Sequence, residues 1–375
     1  MSVGTGLNII DFLRECREKN ATDCDLRLGK KIDRVILDDI EKVDSVFNEA
    51  AEKELVGALN LTMLLDEQSS ARSACTLEGV GRLRILAYRS TTPPGRGYAI
   101  RFLHEGARPM NEIGVPESVY RTLRHAKGGM FAITGPTGSG KTTTLNSIAF
   151  RLATELSKKI VMIEEPTEIL LEDDDLLGSI TQISVPDDFA DTGEACEALF
   201  RMRPRFIFVG EVTTPEVMRQ VLALAVAGHV VIFSLHTNNA RATVQRIVSF
   251  FPTEQQEQVM ALMSTTLLGA MGQRLAKNRA GTDFVLIPDL MITSPSIATS
   301  IRAGQFEQLE SAVENANDRS VMISTRYSLL YHVQTLKDIT VEEALSCADD
   351  QAATAELFLK QGVNVPPEYL VEGAS

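Results

Sequence analysis

Hydrophobic positions over the first hundred residues mix helical and alternating spacing. Apolar side chains recur at helical spacing over residues 8–19, and residues 44–60 give a second amphipathic helix candidate. Apolar and polar positions alternate over residues 82–90, a turn-forming segment with two prolines follows, and a further strand pattern covers residues 98–103. These patterns predict two helices and a β-hairpin that displays arginines.

The pattern changes after residues 104–116, a segment of Gly, Pro, Asn and charged residues that is typical of a linker. Four short apolar runs then alternate with helical patterns; they are residues 130–133, 160–163, 206–209 and 230–233. Each run predicts a buried strand of a largely parallel sheet. We therefore expect a mixed α/β domain over residues 1–103 and an α/β domain with a helical C-terminal part over residues 117–375.

The length of the chain supports two domains, because 375 residues are more than a single hydrophobic core usually holds together. Its composition also limits which functions are expected. A formal net charge of -13 argues against direct binding of nucleic acid, although it leaves room for a local basic pore lining. The N-terminus has no signal-peptide pattern and no apolar run reaches the roughly 20 residues of a membrane span, so we expect a cytoplasmic protein. Five scattered cysteines without a CxxC pair indicate reduced thiols and no structural zinc.

A phosphate-binding loop follows the first apolar run. Its residues are Gly135, Pro136, Thr137, Gly138, Ser139, Gly140, Lys141, Thr142 and Thr143. Glycines let backbone amides curl around phosphate oxygens, and the following helix offers its positive N-terminus. Lys141 is expected to reach the β- and γ-phosphates of ATP, and the Thr142 hydroxyl to bind Mg²⁺. A chance match to this loose pattern is the alternative, which the flanking strand and helix patterns argue against.

Acidic residues follow two other predicted strands. Glu211 comes after residues 206–209, the placement of a Walker B acid that orients the water shell of the metal or the attacking water. Glu164, Glu165 and Glu168 form a cluster at a proline turn, and one of them could accept a proton from the attacking water. The alternative for both is an acidic, solvated turn, and we assign the run at 172–175 to that alternative.

Two histidines flank the last predicted strand. His229 and His236 lie seven residues apart, a spacing that does not suit a compact metal pair on a helix. An isolated histidine most often has a structural role, but the strand-end position of His236 beside Thr237 favours a phosphate sensor.

Four ordered motifs together resemble those of the PilT/GspE superfamily of hexameric secretion and pilus ATPases. Residues 135–142 are similar to its Walker A motif, 164–168 to its acidic box, 210–211 to Walker B and 228–237 to its His box. Residues 21–26, the hairpin at 81–101 and residues 300–304 resemble further segments of the family.

The resemblance implies a RecA-like P-loop ATPase domain behind a smaller, PAS-like α+β domain. It also implies that Glu168 is the catalytic carboxylate, that Glu211 supports Mg²⁺, and that His229 and His236 report the γ-phosphate. Arg84 and Arg101 would reach a neighbouring subunit's ATP as arginine fingers. The implied assembly is a homo-hexamer at the cytoplasmic face of the inner membrane, held there by pilus or secretion platform proteins.

The sequence departs from the family pattern at several positions. The acidic box has Glu165 where Asp is usual, and Thr213 and Thr214 replace the usual Arg-Asp after Glu211. The sequence has no four-cysteine module, and in this respect it resembles the retraction branch of the family. The arginines of residues 201–205 are instead similar to those of the DotB/TraJ-type ATPases. We expect an ATP-hydrolysing motor of a type IV pilus or of type IV secretion or conjugation. The alternatives are a DNA-translocating RecA-type ATPase and a non-catalytic nucleotide-binding scaffold.

Overall fold

The computed structural model describes residues 7–36, 39–59, 70–91, 94–103, 106–171 and 175–370. The chain divides into two compact units. The first comprises Met1–Gly106 with Glu168–Leu170, and the second comprises Ala107–Thr167 with Leu171–Ser375. The short segment Glu168–Leu170, which begins with the last acid of the predicted box, therefore groups with the first unit.

Among its described residues, the first unit contains a six-stranded antiparallel sheet and two helices. Its strands are β1 (Asp23–Arg27), β2 (Lys31–Ile36), β3 (Asp39–Val46), β4 (Ser70–Leu77), β5 (Gly81–Thr91) and β6 (Pro94–Phe102). Their order across the sheet is β3-β2-β1-β6-β5-β4. Helices α1 (Ile9–Glu18) and α2 (Glu49–Ala58) each begin after an asparagine, Asn8 or Asn48, whose side chain accepts a hydrogen bond from a first-turn amide.

The predicted hairpin is confirmed as β5 and β6, and its apolar positions Leu83, Ile85 and Ala87 are buried. The helix predicted over residues 44–60 begins later, at Glu49, because residues up to Val46 extend strand β3. That strand pairs only with β2 among the described residues and is largely exposed, so it has no alternating apolar signal. Residues 104 and 105 of the predicted linker, like residues 172–174 of the acidic run, lie outside the described ranges.

The second unit is built on an eight-stranded sheet with the order β14-β13-β12-β7-β11-β10-β8-β9. Its strands are β7 (Gly129–Thr134), β8 (Lys159–Glu164), β9 (Ser179–Ser184), β10 (Phe206–Val209), β11 (Val230–Leu235), β12 (Leu267–Lys277), β13 (Phe284–Ile292) and β14 (Met322–Ile323). All strands from β12 to β9 in that order are parallel, and β13 and β14 add antiparallel pairs. The four predicted strands are confirmed as β7, β8, β10 and β11.

Helices cover this sheet and form the C-terminal part. They are α3 (Glu117–His125), α4 (Lys141–Glu155), α5 (Thr192–Met202), α6 (Pro215–Val226), α7 (Ala240–Ser249), α8 (Thr253–Thr266), α9 (Pro295–Arg302), α10 (Glu307–Glu314), α11 (Thr325–Tyr331), α12 (Val341–Ser346) and α13 (Gln351–Lys360). A π-helical turn, His332–Leu336, follows α11, and a 3₁₀ turn, Pro367–Tyr369, follows α13. Within the described ranges, none of the helices has the length and apolar character needed to cross a bilayer.

The central parallel strands β7, β8, β10 and β11 are buried on both faces, which explains their continuous apolar runs. All residues of β7, β10 and β11 are buried. Because these strands run in one direction, their carboxyl ends share one edge of the sheet and their amino ends share the other. The predicted phosphate-binding loop, Glu211 and His236 all follow carboxyl ends.

Candidate active site

The loop after β7 approaches its neighbours closely. Gly135 has a φ of 150°, and a Cβ at this position would lie 2.4 Å from the Gln273 carbonyl oxygen. Gly140, with a φ of 83°, precedes the first residue of α4. Side chains at these two positions would strain or block the turn, so the glycines allow the chain to curl directly into the helix N-terminus.

Lys141 begins helix α4 and folds back over the loop. Its Nζ donates to the carbonyl oxygens of Gly135 and Pro136, both at 2.8 Å. Partial burial lowers the pKa of Lys141, and the negative charge of Glu211 opposes that shift. The ammonium group is therefore held within the loop, in the electrostatic field of the predicted Walker B acid.

His236 connects the ends of two strands. Its Nε2 lies 2.9 Å from Glu211 Oε1, and its Nδ1 lies 3.4 Å from Lys141 Nζ. Backbone bonds support this arrangement, since the Val212 amide donates to the Ser234 carbonyl oxygen at 3.0 Å. The structure thus brings together three of the predicted residues, Lys141, Glu211 and His236.

The three acids of the predicted box occupy different surroundings. Glu164 is buried and accepts hydrogen bonds from Asn146 Nδ2 at 3.2 Å and Gln182 Nε2 at 3.0 Å, while Glu165 is exposed. Glu168 groups with the first unit, where its Oε1 lies 2.6 Å from Arg84 Nη1. Glu164 is thus committed to two amide groups, whereas Glu168 is an ion-pair partner.

Arg84 and Arg101 are direct cross-strand partners on β5 and β6, so both side chains leave the same face of the hairpin, as predicted. Each is paired with a carboxylate. Arg84 pairs with Glu168, and Arg101 Nε donates to Asp23 Oδ1 at 2.8 Å. The arrangement within this chain is therefore the local carboxylate pairing.

Within this chain the two predicted histidines lie at opposite ends of one strand. His229 immediately precedes β11 and His236 immediately follows it, so the six residues of that strand separate them by roughly 20 Å along the sheet. His229 instead has its Nδ1 2.7 Å from the Pro204 carbonyl oxygen and its ring edge against Phe200. The two ends of a strand lie at opposite edges of its sheet, so residues that flank a strand are close in sequence but far apart in space.

Two buried amides support the site and were not predicted. Gln273 on β12 donates through Nε2 to the Ser139 carbonyl oxygen at 2.5 Å, and Asn146 on α4 connects the Thr142 carbonyl oxygen to Glu164. Asn146 lies one helical turn after Thr142, a spacing that could have identified it. No sequence signal marks Gln273, because its strand pairs with β7 from a distant part of the chain.

Asp289 on β13 holds the start of helix α7, close after the His box. Its carboxylate accepts hydrogen bonds from the backbone amides of Ala240 and Thr325, both at 3.0 Å. Burial raises the pKa of Asp289 to about 6, although these hydrogen bonds oppose the shift. It lines a cavity of about 190 Å³ together with Arg241, Ser324 and residues of α13.

Comparison with known proteins identifies the family. A family model described as "Type II/IV secretion system protein" matches residues 93–325, more than half of the chain and the whole span of the four motifs. The chain belongs to this family. The predicted resemblance to the PilT/GspE superfamily is confirmed.

Members of the family resemble the chain over most of its length. It is 27% identical to the type IV pilus ATPase PilU of Pseudomonas aeruginosa, over 86% of this chain and 83% of that protein. It is 33% identical to the type IV pilus retraction ATPase PilT of the same organism, over 63% of this chain and 67% of that protein.

Solved structures of the family confirm the RecA-like fold with its N-terminal domain. The crystal structure of the pilus retraction motor PilT with bound ADP has a TM-score of 0.79 at 30% identity, covering 92% of this chain and 98% of that one. The ATPase DotB of Legionella pneumophila reaches the same TM-score at 19% identity, with 92% and 96% covered. The second likeness concerns the fold alone.

Proposed function

We propose that the protein is an ATP-hydrolysing motor that powers a type IV pilus or a type IV secretion or conjugation machine. The observation that carries the proposal is the cluster of Lys141, Glu211 and His236 at the carboxyl edge of a parallel sheet. Family membership and the likeness to a pilus motor solved with ADP support the same function.

The phosphate-binding loop would hold the nucleotide through residues 135–143. Backbone amides of the loop and the N-terminus of α4 favour negative charge, and Lys141 Nζ would exchange its two carbonyl contacts for β- and γ-phosphate oxygens. The lowered pKa of Lys141 is expected to rise again beside phosphate, because an anion favours the charged ammonium.

Mg²⁺ fits the oxygen donors of this site. Thr142 lies in the first turn of α4 and supplies a hydroxyl, and Glu211 supplies a carboxylate that is about two-fifths exposed. Magnesium prefers such hard oxygen ligands and keeps several waters and phosphate oxygens besides. The metal would neutralise developing phosphate charge, while Glu211 orients the water shell and His236 holds Glu211 in place.

We assign proton acceptance to Glu168 and arginine-finger roles to Arg84 and Arg101 of a neighbouring subunit. This assignment requires a ring, and we propose a homo-hexamer. The Arg84–Glu168 and Arg101–Asp23 ion pairs would then exchange partners as a subunit takes its place beside a neighbour's nucleotide. The cross-strand position of the two arginines supports a shared action, since one hairpin face presents both.

We further propose that the ring works at the cytoplasmic face of the inner membrane, on pilus or secretion platform proteins. The division into residues 1–103, a linker at 104–116 and an ATPase domain at 117–375 is part of this proposal. Translocation of DNA is the competing function, because it uses the same loop and strand-end acid.

Steady-state phosphate release from ATP by the purified protein tests the enzymatic part. Release that requires Mg²⁺ and is unchanged by added DNA is the expected result. Release that depends on DNA would favour the translocase, and binding of ATP with no release would favour the scaffold. Loss of pilus-driven surface motility or of DNA transfer on deletion of the gene would then separate the two machines.

A further inference from the structure

The edge of the large sheet opposite the phosphate-binding loop carries a concentration of positive charge. We define the basic edge as Lys127, Lys158, Lys159, Arg201, Arg203 and Arg205. These residues lie in, or next to, the segments that lead into strands β7, β8 and β10. In a chain with a formal net charge of -13, such a local excess of cations needs its own explanation.

Hydrogen bonds between the segments show that these residues form one surface. The Arg205 amide donates to the Lys159 carbonyl oxygen at 2.8 Å, and Lys159 Nζ donates to the Met202 carbonyl oxygen at 3.1 Å. The Arg205 guanidinium donates to the Lys127 carbonyl oxygen at 2.8 Å. The segments before β7, β8 and β10 are therefore tied together across the edge.

Most of this charge is not neutralised by the carboxylates that the structure describes. Lys127, Lys158, Arg201 and Arg203 are exposed, and none of the four forms an ion pair with a described carboxylate. Glu155, three residues before Lys158, pairs instead with Arg124 and Arg151. Along the chain, Glu197 lies one helical turn before Arg201, and the acidic run at 172–175 precedes Leu177. The cations are thus available to a partner.

Large apolar side chains stand among the cations. Leu177, Phe200 and Val226 are 66%, 40% and 54% exposed, and each belongs to a segment beside the amino end of a parallel strand. Phe200 stacks edge-on against His229, which itself precedes β11. Exposed apolar side chains interspersed with lysine and arginine are typical of surfaces that bind the interface of an anionic bilayer.

The register of the sheet places the segments of this edge side by side. Gly129 pairs with Val230, Val230 with Phe206, Phe206 with Ile160, and Lys159 with Ser179. Five neighbouring strands therefore begin within one residue of each other in register, so the segments that lead into them follow one edge of the sheet.

We propose that the basic edge binds the anionic surface of a phospholipid bilayer directly. The proposal goes beyond ATP hydrolysis, because the edge lies at the end of the strands opposite the nucleotide loop. It also differs from recruitment through protein partners alone. Long lysine and arginine side chains would reach the lipid phosphates, and Leu177, Phe200 and Val226 would enter the boundary between headgroups and acyl chains.

Sedimentation with vesicles tests the proposal on the full-length protein. Vesicles of equal parts phosphatidylglycerol and phosphatidylethanolamine should bind it, and vesicles of phosphatidylcholine should not. The double variant Lys127→Glu/Lys158→Glu should bind anionic vesicles at least about tenfold more weakly, given the contribution of each cation near such a surface. Added salt should weaken the wild-type binding in the same direction.

The matched control is Lys30→Glu/Lys53→Glu, which changes the net charge equally at two exposed lysines of the first unit. It should bind like the wild type. Leu177→Ser should weaken binding without any change of charge, and Lys127→Gln/Lys158→Gln replaces the Glu variant if that variant does not fold. Lipid-free phosphate release should be unchanged in these variants, so a failure of the ATPase proposal is distinguishable.

Several outcomes would overturn the assignment. They are equal binding to neutral vesicles, equal loss in the control pair, and absence of wild-type binding to anionic vesicles. Binding to polyglutamate or to a DNA oligonucleotide with no vesicle binding would assign the edge to those partners instead. A change of oligomeric state in the double variant without vesicle binding by the wild type would assign it to a contact between copies.

Discussion

His236 Nε2 lies 2.9 Å from Glu211 Oε1, while the other ring nitrogen lies 3.4 Å from Lys141 Nζ. An ammonium group can only donate hydrogen bonds and an ionised carboxylate can only accept them. A neutral imidazole with its proton on Nε2 satisfies both neighbours at once. One histidine therefore connects the phosphate-binding lysine to the Walker B acid, and a nucleotide that moves Lys141 would also be sensed at Glu211.

This connection predicts that His236 and Glu211 act as a unit. In steady-state phosphate release, His236→Ala and Glu211→Gln should each reduce turnover, and the double variant should lose less than the two effects combined. Residues in direct contact show interaction energies of roughly 0.5–3 kcal/mol in such cycles. His125→Ala, at an exposed histidine of α3, is the control and should leave turnover unchanged. Strictly additive effects would mean that the two side chains act independently.

Lys141→Ala should abolish ATP turnover, because the β- and γ-phosphate charge loses its fixed partner. We expect a loss of at least about 10²-fold, the scale for removing one preorganised donor from developing charge. Phosphate release by the purified variant measures it, with Lys158→Ala, at an exposed lysine of the opposite edge, as the control. An unchanged rate in Lys141→Ala would remove the phosphate-binding assignment of this loop.

In the central sheet of the second unit, the sequence predicts the strands that are buried on both faces. Strands β7, β8, β10 and β11 are continuous apolar runs, each followed by a chemically distinctive segment. Strand β12 contains Gly269, Gly272 and the polar Gln273, and it adjoins helix α8 without a turn signal. Its pairing with β7 comes from tertiary contact, which overrides the weak local pattern.

Parts of the site depend on the same long-range contacts. The loop, Glu211 and His236 were predictable because parallel strands place their carboxyl ends together. The separation of His229 from His236 follows from the strand between them, and the pairing of Glu168 with Arg84 joins residues 84 positions apart. Neither relationship can be read from local spacing. A comparison of motifs therefore identifies these residues but does not predict which of them lie close together.

Glu168→Gln should bind ATP and lose about 10²- to 10⁴-fold in turnover, the range for a positioned general base. Its amide keeps the size of the side chain but cannot accept the proton. ATP binding by fluorescence and single-turnover hydrolysis separate the two effects, and Glu165→Gln is the matched control from the same turn. If Glu165→Gln were crippled and Glu168→Gln normal, the base would be assigned to the wrong acid of the box.

Asp289 should make the free energy of unfolding depend on pH. Burial raises the pKa of Asp289 from 3.8 to about 6, so the folded protein binds this proton more tightly than the unfolded chain. The stability that this proton contributes is present below about pH 4 and is lost as the pH rises through about 6, on the order of 3 kcal/mol. Asp289→Asn should remove this component.

Urea unfolding at several pH values between about 4 and 7 measures the difference between the wild type and Asp289→Asn. Glu257→Gln, at an exposed position of α8, is the control and should keep the wild-type pH dependence. Parallel pH curves for wild type and Asp289→Asn would show that the buried carboxyl has the same pKa in both states.

Arg84 and Arg101 are expected to act on a neighbouring subunit's ATP. They are cross-strand partners on one face of the hairpin, and each holds a carboxylate that a nucleotide phosphate could replace. A trans arginine finger is worth roughly 10³- to 10⁵-fold in rate, whereas an exposed ion pair contributes about 1 kcal/mol or less. Arg101→Ala should therefore lose turnover far beyond any loss of stability.

Mixing experiments distinguish action in trans from action within one subunit. Arg101→Ala and Lys141→Ala subunits, each inactive alone, should regain part of the activity at interfaces that join an intact Arg101 to an intact Lys141 loop. Arg89→Ala, at an exposed arginine of β5 in the same hairpin, should be active on its own and mark the effect as specific. If mixed rings confirmed by mass show no recovery, Arg101 stabilises its own domain through Asp23, and the catalytic charge on the γ-phosphate comes from another residue.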